Sequence, residues 1–295
     1  MWRVNSRAVI FHIQGGLGNQ LFQYAAALGM STRLKMPLIL DARGYDPNSN
    51  RQFNLDGFEI SGRVLRKNNS SGHSLTAMAN ELGLRLYKFR KGQILENQND
   101  YDDRILSANS TAYFSGYWQN ESYFIGVSDI LRQHLKFKSK LNVQNSKMLQ
   151  LIESGPAVAV HVRRGDYLIS QENREIYAQL SVSYYARAAK LIADRCRQDL
   201  SFYVFSDDPK WAAENIELPG STMIVDINGE RAAVEDLRLM AACDHNVIAN
   251  SSFSWWGAWL NANSEKIVVA PKKWYNPKSL SDQYINSPSF VIVDN

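Results

Sequence analysis

The 295-residue chain holds few cysteines: Cys196 and Cys243 only, far apart and neither in a Cys-x-x-Cys pair. That argues against a disulfide framework or a thiolate metal site and reads as two reduced thiols of a cytosolic protein. No apolar run reaches the roughly 20 residues of a transmembrane helix, and Met1 to Asn5 opens no signal-peptide core. A cytoplasmic chain is expected. Lys88, Arg90 and Lys91 around Phe89 leave peripheral inner-membrane contact open, beside the plainer reading of a solvated amphipathic segment. A net charge of +4 is too slight and too dispersed for nucleic acid. His12, His73, His134 and His245 lack metal-ligand spacing. There is no Ser-His-Asp signature, internal repeat or low-complexity tract, and neither a Walker A loop nor a Gly-x-Gly-x-x-Gly fingerprint occurs.

What is present is enough apolar material for a sizeable core, 45% of residues, arranged in short runs that alternate with helical patterns. Strands are expected at 8–14, 37–41, 112–118, 157–162, 201–206, 222–226, 246–249 and 266–270. Helices are expected at 19–34, toward 137, and at 143–153, 183–197, 210–215, 232–243 and 253–261. The run Ala-Val-Ala-Val-His-Val at 157–162 has the composition of a strand buried on both faces of a parallel sheet. Strands alternating with helices imply βαβ units and doubly wound sheets. Two α/β domains facing a cleft are expected, 1–150 and 151–295, with the polar stretch 138–145 as linker. Residues 62–109 give no clear pattern.

Four strand-end sequences carry polar groups where open parallel sheets bind ligands. His161-Val162-Arg163-Arg164-Gly165-Asp166-Tyr167 offers two arginines whose planar forks suit diphosphate oxygens, with Asp166 to hold one of them and Gly165 to turn the chain. An exposed turn with surface ion pairs is the plainer alternative. Gly15-Gly16-Leu17-Gly18-Asn19-Gln20 joins a strand to a helix whose N-terminus attracts negative charge; a plain tight turn fits equally well. Asn250-Ser251-Ser252-Phe253-Ser254-Trp255-Trp256-Gly257 offers serines and amides at a helix start. Capping by Ser251 or Ser252, and core packing or sugar stacking by the tryptophans, are alternatives. Ser206-Asp207-Asp208-Pro209 pairs two carboxylates, although Asp208 before Pro209 fits a helix cap better than a metal ligand. Asp236, early in its helix and turned partly from the apolar face, suits two N–H donors on a guanine edge; pairing with the helix dipole is the alternative.

Taken together and in order, these motifs resemble the bacterial α-1,2-fucosyltransferases of glycosyltransferase family 11. The N-terminal match runs from Gly15 to Tyr24, the arginine motif from His161 to Tyr167, and Ser206-Asp207-Asp208 and the stretch from Asn250 to Leu260 follow. The resemblance implies a GT-B-like fold of two Rossmann-type domains, the N-terminal one mainly for the acceptor and the C-terminal one for GDP-fucose, used as substrate with no cofactor and no metal. It implies Arg163 on the β-phosphate, Asp236 on guanine, the Ser251-Ser252-Phe253 turn on the nucleotide, and His161 on ribose or base. Gly16, Gly18, Arg164 and Asp207 complete the donor set, and Arg163, Asp166 and Asn19 are the candidate catalytic residues. The implied acceptor is a galactose-terminated oligosaccharide such as a lipid-linked O-antigen unit. Fucosyltransfer of another linkage and a non-catalytic sugar- or nucleotide-binding module are the alternatives.

Overall fold

The computed structural model describes residues 7–46, 52–67, 93–96, 101, 112–165, 171–276 and 282–295. Asp166 and the 88–91 basic segment lie outside the described residues. The chain divides into two compact units, Met1–Lys136 and Phe137–Asn295. The expected division at residue 150 would cut a helix, Val143–Ile152, that packs against Ala233–Ala242 in the second unit.

The first unit holds β1 (Val9–His12), α1 (Leu17–Leu34), β2 (Leu38–Asp41), β3 (Arg63–Leu65), β4 (Gln93–Leu95), β5 (Ala112–Ser115) and α2 (Ser128–His134). The strands form one sheet in the order β3-β2-β1-β5-β4, all pairs parallel. β1 and β2 register Val9 against Leu38 and His12 against Asp41. α1 is buried along most of its length because Leu17, Leu21, Phe22, Tyr24, Ala25 and Leu28 pack inward. The three-residue strands β3 and β4 lie inside the stretch whose sequence gives no clear pattern, too short to show an alternation.

The second unit holds α3 (Val143–Ile152), β6 (Ala157–Val162), α4 (Gln171–Ile176), α5 (Val182–Cys196), β7 (Ser201–Ser206), α6 (Pro209–Asn215) and β8 (Ser221–Val225). It continues with α7 (Ala233–Ala242), β9 (His245–Val247), α8 (Ser252–Leu260), β10 (Val268–Pro271), α9 (Asp282–Ile285) and β11 (Val291–Val293). Its sheet order is β11-β10-β9-β6-β7-β8, again parallel throughout. Every residue of β6 is buried, as its unbroken apolar run requires. Val158, Val160 and Val162 pack toward α5, while Ala157 and Ala159 face the α7 side. Both sheets are therefore Rossmann-type, and each reverses its winding beside its first strand: between β1 and β5, and between β6 and β9. Ligands of such sheets bind beyond the carboxyl ends of the strands at that reversal. Cys196 and Cys243 are free thiols. No helix among the described residues is long and apolar enough to cross a membrane.

Candidate active site

The carboxyl edge of the sheet beside the β6–β9 reversal brings together the arginine loop, Asp207 and, through His161 and Phe253, the serine turn. β6 ends at Val162 and delivers Arg163, Arg164 and Gly165 beyond the sheet edge. β7, registered beside it with Val162 opposite Ser206, delivers Asp207 and Asp208 to the same edge. Asp207 grips the arginine loop. Its Oδ1 accepts from the Arg164 backbone N–H at 2.8 Å and its Oδ2 from the Gly165 N–H at 3.0 Å. The Arg163 Nε stands 3.3 Å from the same Oδ2. At Gly165 the close approach is that of a side chain. A Cβ at this position would sit 3.1 Å from the Asp207 carboxylate.

The two arginines differ. Arg164 lies over the Trp211 ring, 4.0 Å from its centroid, with its Nε 3.7 Å from Asp208. Asp208 caps α6 by accepting from the Trp211 N–H, with Pro209 at the first helical turn. Arg163 keeps 30% of its side chain exposed, pairs with Asp207, and its backbone hydrogen-bonds the buried Tyr185 hydroxyl. Both carboxylates therefore serve the arginine loop and a helix cap. Among the described residues, no group of three or more His, Cys, Asp or Glu is placed to hold a metal ion.

His161, the penultimate residue of β6, is 4% exposed and its Nδ1 is buried without a hydrogen-bond partner. Burial, and then the charge of Arg163, push its pKa down to about 3, so the imidazole is neutral at physiological pH. Its ring lies 5.5 Å from that of Phe253 in the first turn of α8. An orphaned nitrogen at this depth has a desolvation cost that a ligand's polar group would relieve.

The loop after β9 is held from several sides. The Tyr184 hydroxyl donates to the Ile248 carbonyl at 2.7 Å, and the Asn250 amide donates to the carbonyls of Ala178 and Trp274. Ser251 occupies the N-cap position of α8 without a side-chain capping bond, so the expected cap is positional only. Ser254, one turn later, donates to Ser251 and Ala249 carbonyls instead. Trp255 and Trp256 are fully buried, ring against ring, and the Trp255 indole donates to Ile285. They belong to the core, which removes them as a sugar-stacking surface.

Asp236 sits in the first turn of α7 with its Oδ1 accepting from Asn228 at 2.8 Å. Burial, and then the nearby Asp226 and Glu235 carboxylates, push its pKa up to about 6 against the Asn228 bond. α7 is fastened by Arg238, which donates to Ser139, pairs with Glu235 and lies over Phe137.

In the first unit the glycine loop is built differently. Gly15 has φ +81°, and a Cβ there would meet the Asn19 amide at 2.8 Å. Gly16 is the N-cap of α1, with open space where a side chain would stand, and Gly18 is buried in the first turn. Gln20 and Gln23 are fully buried and tie loops to the helix. Gln20 donates to Gly15 and Gln52 carbonyls and accepts from the Asn54 N–H. Gln23 accepts from the Gln14 N–H and donates to the Gly116 carbonyl. The Asn19 carbonyl accepts from the Gln119 amide at 2.7 Å, joining the loops that follow β1 and β5. The buried Asp41 takes bonds from Arg43 and Tyr113 that outweigh its desolvation and hold its pKa below the usual range.

Residues 11–293 match the model of the family described as Glycosyl transferase family 11. The chain belongs to glycosyltransferase family 11. It is 32% identical to an α-1,2-colitosyltransferase of Escherichia coli over 92% of this chain and 94% of that one. It is 31% identical to the O-antigen biosynthesis glycosyltransferase WbnK of Escherichia coli, over 93% and 98%. It is also 27% identical to a galactoside α-(1,2)-fucosyltransferase of Rattus norvegicus, over 53% and 43%. The fold is shared with two solved structures. One is an Arabidopsis thaliana FUT1 mutant in complex with GDP, with TM-score 0.54, 10% identity and coverage of 90% of this chain and 70% of that one. The other is the NodZ α-1,6-fucosyltransferase soaked with GDP-fucose, with TM-score 0.50, 16% identity and coverage of 87% and 93%. The chain is thus an enzyme of the glycosyltransferase class, with a fold that fucosyltransferases share.

The sequence motifs marked the arginine loop, Asp236 and the serine turn; they did not mark what supports them. Trp211 under Arg164, Tyr185 behind Arg163 and Asn228 beside Asp236 carry no motif. The one faint signal is Asn228-Gly229, a turn pair three residues past the end of β8.

Proposed function

We propose that this enzyme transfers L-fucose from GDP-β-L-fucose to the 2-hydroxyl of a β-galactoside, with inversion and without a metal. The observation that carries the donor side is the Asp207-held arginine loop at the sheet reversal of the second unit, with Arg163 partly exposed. Arginine supplies the charge that a departing diphosphate needs, and Asp207 fixes that charge before the donor arrives. In this reading Arg163 meets the β-phosphate, Arg164 supports the loop from the Trp211 face, and neutral His161 offers its Nδ1 to the ribose or base. Ser251, Ser252 and Phe253 border the nucleotide, and Asp236 accepts from the guanine edge.

In the displacement the C1–O bond to the diphosphate breaks as the bond from C1 to the acceptor oxygen forms. Asp166 directly follows two arginines in the sequence, and because neighbouring positive charge makes a carboxylate a weaker base, this reading does not give it the acceptor proton. The proton of the acceptor hydroxyl therefore passes to a donor phosphate oxygen. Asn19 and the first unit take the acceptor side; the relative named for O-antigen biosynthesis favours an O-antigen unit as acceptor, for which this reading takes a galactose-terminated, lipid-linked oligosaccharide.

The relative named as a colitosyltransferase supports a second reading, in which colitose is the transferred sugar. One experiment separates the readings. The enzyme is incubated with GDP-fucose or GDP-colitose and a panel of β-galactosides, and GDP release and product linkage are measured. An α-1,2-fucosylated product supports the first reading. Turnover confined to GDP-colitose supports the second, another linkage moves the chain to a different acceptor hydroxyl, and no GDP above background points to a binding module.

A further inference from the structure

Asp236 is the end of a chain of side-chain amides. Asn228, in the loop between β8 and α7, donates from Nδ2 to Asp236 Oδ1 at 2.8 Å and to Asn145 Oδ1 at 2.9 Å. Asn145 answers, donating from Nδ2 to Asn228 Oδ1 at 2.9 Å and to Asn142 Oδ1 at 3.1 Å. The two amides thus form a reciprocal pair in which all four N–H protons have an acceptor. That accounting leaves neither amide free to flip, since a flipped Asn228 would turn a carbonyl oxygen toward the Asp236 carboxylate. Asn145 is fully buried in the first turn of α3, and its backbone N–H is capped by Asn142. The pair therefore hangs on a rigid element. It engages one carboxylate oxygen of Asp236 and leaves Oδ2 to accept from a ligand.

A helix-capping network would need nothing at Asp236. The Asn142 cap is complete without Asn228, and the bond Asp236 accepts comes from the Asn228 side chain rather than from the α7 backbone. The bond to Asp236 also works against the burial that disfavours its charge. A half-buried carboxylate kept available by a dedicated donor is the arrangement that base recognition requires, because guanine presents adjacent N1–H and 2-amino donors.

We propose that Asn228 and Asn145 are positioning residues for nucleobase recognition, a locked amide pair that aims Asp236 at the N–H edge of a guanine. This rests on the reading of Asp236 as the guanine contact. Selectivity for GDP over IDP, which lacks the 2-amino group, reports on aim and is insensitive to general loosening of the fold. Calorimetric binding of GDP and IDP is measured for the full chain and for Asp236→Asn, Asn228→Ala and Asn145→Ser. Asp236→Asn is expected to abolish most of the preference. Asn228→Ala is expected to lower it by about tenfold, the worth of one well-placed hydrogen bond to a charged group, and Asn145→Ser by a smaller factor in the same direction. At saturating donor, kcat of the Asn228 variant stays near that of the parent while KM for the donor rises. If Asn228→Ala does not fold, Asn228→Ser in the same loop gives the reading. A preference lost in Asp236→Asn but kept in folded Asn228 and Asn145 variants overturns the positioning role and leaves the guanine contact standing. A preference unchanged in Asp236→Asn overturns both.

Discussion

The two units are variations on one sheet, yet they spend their polar residues differently. In the second unit the candidate groups are charged or orphaned: Arg163, partly exposed, and His161, with a buried lone nitrogen, at the end of β6, and Asp236, raised in pKa, in the first turn of α7. In the first, the motif amides at the β1–β5 reversal are consumed internally. Gln20 and Gln23 are wholly buried, and each is bonded to backbone on two sides. The lesson is that a motif can mark scaffold as readily as chemistry. Groups that keep a cost in the unliganded fold point to a ligand, and groups whose bonds are complete point to the fold.

The contrast is sharpest at Arg163. Arg163→Ala is expected to leave the melting temperature near that of the parent and to lower kcat by a hundredfold or more, about 3 kcal/mol of lost charge stabilisation. Steady-state turnover beside a thermal melt checks both halves. At Gln23 the expectation reverses. Gln23→Leu strands the Gln14 N–H and the Gly116 carbonyl, costing about 2 kcal/mol of stability, with kcat per folded molecule little changed. A urea titration with activity scaled to folded fraction decides it, and a large loss of kcat with intact stability would break the comparison. Asp207→Asn lies between them. It keeps an acceptor for one backbone N–H of the arginine loop and loses the charge that holds Arg163, so kcat should fall about tenfold with a small change in stability.

The smallest effect concerns pH. The carboxyl of Asp236 is held at about 6 by burial and by Asp226 and Glu235, the latter itself paired with Arg238; Asn228 opposes them. As pH falls through about 6, Asp236 gains a proton and loses an acceptor for the guanine edge, so KM for the donor rises severalfold. Stability runs the other way. A carboxyl whose folded pKa exceeds its unfolded value favours the fold at low pH and loses that contribution as pH rises through the folded pKa. Asp236→Asn should therefore stabilise the protein at pH 7, by on the order of 1–2 kcal/mol, while removing donor affinity. A pH series of donor KM, read beside melts of the parent and Asp236→Asn, checks both signs.

Much of the fold is written locally. The run at 157–162 matches β6 residue for residue, and the helix expected at 183–197 is observed at Val182–Cys196. The strands that escape notice, β3, β4 and β11, have three residues each and borrow their stability from a longer neighbour. The site follows the same rule. Arg163, Asp207 and Asp236 stand at strand and helix ends that a linear reading locates. What those residues do to one another does not follow linearly, because Asp207 reaches an arginine loop more than 40 positions away and Asn228 meets Asn145 across 83. That the Asp207 carboxylate comes within 3.1 Å of where a Cβ on Gly165 would stand is visible only in the packed sheet.

The most direct test of the division between the units is hydrogen–deuterium exchange of the full chain with and without GDP. Protection concentrated in the backbone at 161–165, 228–236 and 250–253, with little change around Gln20 and Gln23, is the predicted result. Protection centred on residues 15–24, with the second unit's loops unchanged, would contradict it.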